Sequence, residues 1–140
     1  YMDDGQTFAY RDDQAFLARK FTLTRDGPGH LRLASTSLTG RDIHTSASST
    51  ALQVPGNAYE QETSSVRVER IIVYGLPEVH RIIARDAHGH ETSLSFTYTS
   101  GTSRSPTASD ASARLASRLE IRDPRVLIGQ DWSILMEIAP

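Results

Sequence analysis

Between Thr92 and Thr99 the chain reads TSLSFTYT, with Leu94, Phe96 and Tyr98 on every second position and hydroxylated residues between them. Only a pleated strand sends alternate side chains to opposite faces, so this run demands a sheet with one buried and one wet surface. The same period recurs along the chain. Phe21 and Leu23 alternate in KFTLT, Leu31 and Leu33 in HLRLA, and RDGPG between them reads as a hairpin turn. Val66 and Val68 alternate in VRVER, and IIVYG follows and stops at Leu76-Pro77, because proline cannot donate to a ladder. VHRIIARD then turns through AHGHE. RLEIR contributes Leu119 and Ile121, and DWSILMEI places Trp132, Ile134, Met136 and Ile138 on one face. Short strands about a dozen residues apart with turn chemistry between them predict an all-β fold, an antiparallel β-sandwich, as a single domain over residues 1–140.

Three segments fit less simply. Residues 11–20, RDDQAFLARK, suit either a helical turn with Phe16 and Leu17 inward or a strand running into KFTLT; the strand is the preferred reading. Residues 100–117 are rich in Ser, Thr and Ala, the composition of a long loop or insertion. Residues 35–64 are similar but carry Leu38, Ile43, Leu52 and Val54, which predicts an irregular strand within them.

Composition narrows the functional classes. A net charge of −2, with charges of both signs making up 23% of the chain, gives no electrostatic case for nucleic acid or an anionic membrane surface. No stretch approaches the roughly 18 apolar residues of a membrane span. There is no cysteine, so disulfides and thiolate metal sites are excluded. The chain opens on Tyr1 rather than methionine, and YMDDG reads as the interior of a fold, which predicts that the chain is part of something larger.

Candidate chemistry is sparse. Asp3-Asp4 and Asp12-Asp13 are carboxylate pairs, but neighbours on a strand point to opposite faces, a poor geometry for flanking one glycosidic bond. Asp3-Asp4 before Gly5 is better explained as an Asx turn. His88-Gly89-His90 has metal-ligand spacing but lies in a turn with no third ligand to nominate. No serine lies in a nucleophile-elbow context, and the only Asn, Asn57, precedes Ala-Tyr and so forms no glycosylation sequon. Tyr10, Tyr74, Tyr98 and Trp132 could stack on sugar rings; each also suits the core or rim of a sandwich.

The run DDGQTFAYRDDQAFLARKFTLT, through Asp3, Asp4, Gly5, Phe8, Tyr10, Phe16, Leu17, Arg19 and Phe21, resembles the opening of the distal C-terminal β-domain of glycoside hydrolase family 31. VRVERIIVYGLP, LSFTY and DWSILMEI follow in the matching order. The terminal D-W-S-I is similar to the ending of the catalytic subunit of the family's endoplasmic reticulum member. The resemblance implies a retaining exo-α-glucosidase of the reticulum lumen that removes α-1,3-linked glucose from N-linked glycans. It further implies a (β/α)8 barrel and other domains of the same enzyme as partners, and a regulatory β-subunit with a mannose-binding domain. In the family both catalytic aspartates lie on barrel loops in a W-x-D-M-N-E-type context that this sequence lacks. No catalytic, cofactor-binding or metal-ligating residue is therefore assigned, and no cofactor is expected. The implied role of the domain is structural. The alternative is a free-standing carbohydrate-binding module, which requires exposed aromatics in line on one sheet face where the structural role requires them buried.

Overall fold

A computed structural model describes residues 1–3, 5–8, 16–38, 63–101 and 116–139. The described residues form eight strands and no helix: β1 (Arg19–Arg25), β2 (His30–Ser37), β3 (Arg70–Tyr74), β4 (Val79–Arg85), β5 (Glu91–Ser93), β6 (Phe96–Thr99), β7 (Arg118–Arg122) and β8 (Trp132–Ile138). Two sheets result, one of five strands in the order β1-β2-β8-β4-β5 and one of three in the order β3-β7-β6, and every pairing is antiparallel.

The core lies between the sheets and is built in rows. In the larger sheet Leu31, Met136 and Ile82 stand side by side on β2, β8 and β4, and Leu33, Ile134 and Ala84 form the next row. In the smaller sheet Ile71, Ile121 and Phe96 form one row and Val73, Leu119 and Tyr98 another. These rows pack into one hydrophobic cluster, which is the physical content of a sandwich. The period-2 patterns of β7 and β8 are therefore core-facing as their sequences predict, while β4 buries Val79, Ile82 and Ala84 across a register shift between Val79 and Arg81.

The RDGPG hairpin forms between β1 and β2, with Gly27 and Gly29 at positive φ where a side chain would be strained. Asp26 closes it by accepting from Arg32 Nε at 2.9 Å.

Four sequence expectations change in detail. TSLSFTYT is two strands: β5 belongs to the large sheet and β6 to the small one, and the chain crosses between them at Leu94-Ser95 while Leu94, Phe96 and Tyr98 keep facing the core. The VRVER run is not a strand to its start. Only Arg67 makes a bridge, to Leu127, and regular pairing begins at Arg70. Met2 pairs with Leu17, so Asp3 and Gly5 belong to a wide connection rather than a tight two-residue hairpin. Phe21 and Leu23 alternate as expected and lie on the core-facing side of β1, yet they are 57% and 44% exposed. Strands sit about 4.8 Å apart, and three of them cannot cover five. The edge strand β1 overhangs. Of the expected loops, residues 35–37 belong to β2 and Ser117 is buried; 39–62 and 102–115, with Ile43, Leu52, Val54 and Asn57, lie outside the described residues.

Candidate functional site

Tryptophan 132 opens β8 on the core side, opposite Ser35 of β2. It is 5% exposed, with Phe21 tilted against it at a centroid distance of 5.9 Å. Its indole Nε1 is buried without a hydrogen-bond partner among the described residues. Beside it, at the end of the sandwich, a cavity of about 230 Å³ is lined by Arg67, Asp86, His88, Arg125, Gln130, Asp131 and Trp132.

Three local structures shape this cavity. The first is the β4–β5 turn. Asp86 Oδ1 accepts from the backbone N–H groups of His88 and His90, both at 2.9 Å, and Oδ2 lies 3.1 Å from His90 Nδ1. Burial alone would raise the Asp86 pKa, but the His90 and His88 hydrogen bonds carry it below the usual carboxylate value. The His-Gly-His spacing thus serves a turn organised by Asp86, with Gly89 at positive φ and the two imidazoles exposed. Among the described residues no three His, Asp or Glu side chains converge as metal ligands.

The second is the segment after β7, where Asp123 and Arg125 adopt φ of 47° and 58° on either side of buried Pro124. Non-glycine residues hold this region only where surrounding contacts impose it. Here Asp123 N donates to Glu69 O at 2.8 Å, Val68 N to Val126 O at 3.0 Å and Ile128 N to Val66 O at 2.9 Å. These bonds tie the segment to residues 66–69.

The third is a clamp that the sequence reading did not identify. Arg19 has only 4% of its side chain exposed, and its guanidinium donates to Ser35 Oγ (3.1 Å), Gln130 O (2.5 Å) and Asp131 Oδ1 (2.8 Å). Asp131 also accepts from Ser37 N at 3.0 Å. A buried arginine one turn of the pleat before Phe21 was visible as a motif position, but a lone Arg in a strand carries no signal of the loop it will reach.

Both carboxylates of the cavity, Asp86 and Asp131, are thus committed to structural hydrogen bonds. Asp3 is similarly occupied: its Oδ1 accepts from Gly5 N at 2.9 Å, the Asx turn expected from the sequence. Asp4, Tyr10, Asp12 and Asp13 lie outside the described residues. The aromatics do not share a platform. Trp132 is in the core of the large sheet, Tyr98 is half-buried on the inner face of the small sheet and donates to Leu76 O at 3.0 Å, and Tyr74 is exposed on the outer face of that same small sheet.

No family model matches the sequence, and no curated protein matches it. Solved structures do. The chain is similar to the glucosidase II alpha subunit in a Glc1Man2-bound form and in a DNJ-bound form, each with a TM-score of 0.56 and 21% identity. In both cases the match covers 96% of this chain and 12% of the other. The chain therefore has the fold of a small part of a glycosidase subunit.

Proposed function

We propose that this chain is the C-terminal accessory β-domain of a family 31 α-glucosidase of the glucosidase II type, and that it stabilises the catalytic part of that enzyme rather than carrying out hydrolysis. The observation that carries the reading is the fold match over 96% of the chain to 12% of the glucosidase II alpha subunit. The ordered sequence motifs support it, and the overhang of β1 gives it a physical role. Phe21 and Leu23 present apolar surface on the core side of a sheet, the kind of surface that a neighbouring domain covers. On this reading the enzyme is retaining, works in the endoplasmic reticulum lumen on α-1,3-linked glucose of N-linked glycans, and pairs with a β-subunit that has a mannose-binding domain.

Two measurements test it. On a chromogenic α-glucoside the 140-residue chain alone gives turnover at the level of a blank. Joined to a family 31 barrel from which the distal domain has been deleted, it raises that barrel's melting temperature, and Phe21→Ser with Leu23→Ser removes the gain. Turnover by the chain alone, or a barrel indifferent to it, overturns the reading.

A further inference from the structure

The outer face of the three-stranded sheet departs from the alternation of small polar residues usual on a solvated strand surface. Glu120 stands at its centre on β7 with 7% of its side chain exposed, and three arginines converge on it. Arg118 Nη2 lies 2.6 Å from Oε2, Arg122 Nε 2.8 Å from Oε1 and Arg70 Nε 3.4 Å from Oε1. Arg70 and Arg122 are direct cross-strand partners, an arrangement of like charges that costs stability unless a counter-charge sits between them. Glu120 supplies one negative charge against three positive ones, so the face keeps a surplus of two in a chain whose net charge is −2. Ile72 and Tyr74 lie on the same face, 38% and 62% exposed, and Tyr74 is the cross-strand partner of Arg118.

The chemistry is that of a prepared receptor. Arg122 is anchored by a 2.8 Å hydrogen bond from Nε to Glu120, and Arg70 sits beside the same carboxylate oxygen in a looser 3.4 Å ion contact; the remaining donors of both have no partner among the described residues, and their side chains are 75% and 55% exposed. A guanidinium fixed at one edge presents the other as a planar fork suited to a carboxylate, with less rotamer entropy left to lose. Arginine and tyrosine around an exposed aliphatic residue are also the composition enriched at the centres of protein interfaces.

We propose that this face docks an acidic protein segment, with carboxylates meeting Arg70 and Arg122 and an apolar side chain seated on Ile72 and Tyr74. Charge complementarity selects the partner: a basic surface is repelled, and an uncharged one leaves the two forks unmatched.

The test uses the full chain and a fluorescein-labelled peptide of alternating Glu and Leu, with its Gln counterpart and inorganic phosphate as further probes. The Glu peptide binds, more weakly as salt rises, and Arg70→Gln with Arg122→Gln lowers its affinity about tenfold or more while the melting curve still shows a folded chain. Arg122→Lys, which keeps the charge and loses the fork, gives a smaller loss and serves if the double variant does not fold. Equal binding of the Gln peptide, unchanged affinity in these variants, or complete displacement by millimolar phosphate overturns the proposal; the last outcome would mean a simple oxyanion site.

Discussion

Replacing Trp132 separates a structural tryptophan from a sugar platform. An aromatic of this size buries about 150–250 Å², which at about 25 cal/mol per Å² corresponds to roughly 4–6 kcal/mol of transfer free energy. With 5% of the residue exposed and Phe21 packed on it, Trp132 sits near the full value. Trp132→Ala should therefore cost about 3–5 kcal/mol, the range for deleting a buried aromatic, or roughly 10–20 °C in melting temperature for a chain of this length. The indole N–H adds a second, opposing quantity. It is buried without a partner among the described residues, and an unsatisfied donor costs about 1–3 kcal/mol. Trp132→Phe removes that penalty while losing part of the ring, so the two effects nearly cancel and stability should stay within about 1 kcal/mol. Urea unfolding followed by far-ultraviolet circular dichroism reads both variants, since Trp132 is the only tryptophan and its fluorescence disappears with it. Two results would refute the reasoning. A Trp132→Ala cost under about 1 kcal/mol would mean the ring is not a core element. A Trp132→Phe cost well above about 1 kcal/mol would mean that the N–H is engaged after all.

Three further outcomes are expected. Arg19→Ala strips Gln130 O of its side-chain donor and leaves Asp131 only the Ser37 N–H, and it should cost about 2 kcal/mol, below the buried-pair range because Asp131 is largely exposed; chemical denaturation measures it, and Arg19→Lys, without the fork, should recover only part. Glu120 has its pKa lowered by the hydrogen bonds from Arg122 and then Arg118. Its stabilisation is thus present above the ordinary carboxylate pKa and lost as pH falls through the folded value. The melting-temperature gap between the wild type and Glu120→Gln should be widest near neutrality and narrow as pH falls below the ordinary carboxylate pKa, and a gap that widens in acid contradicts the assignment. Gly89→Ala meets no neighbouring atom but must adopt φ near 83°, so thermal melting should show a loss of about 1 kcal/mol from backbone strain alone.

The sequence made the strands legible because each buried face repeats every second residue, and β8 shows why this works: Trp132, Ile134, Met136 and Ile138 are all buried as their alternation predicts. Alternation does not say which sheet a strand joins. TSLSFTYT keeps one period while passing from the large sheet to the small one, because both inner faces look onto the same core. Nor does it report whether the opposite sheet extends far enough, and Phe21 and Leu23 are exposed for that reason. Long-range side-chain partners were the least visible. Arg19 reaching Gln130 and three arginines meeting on Glu120 depend on strand order, and strand order is set by the whole fold.

The carboxylates bring these threads to the question of catalysis. A glycosidase acid needs a raised pKa to hold its proton near neutrality, and its partner carboxylate must be free to approach the sugar. Asp86 and Glu120 have both been shifted the other way by hydrogen bonds that favour the ionised form, and Asp131 is held by Arg19 and the backbone of Ser37. The same interactions that make these groups good structural acceptors make them poor proton donors. These three carboxylates therefore close a turn, clamp a loop and hold the arginines of one sheet face. On the proposed reading the domain works through its surfaces: the apolar ledge of Phe21 and Leu23 on one side, and the arginine face with Tyr74 on another.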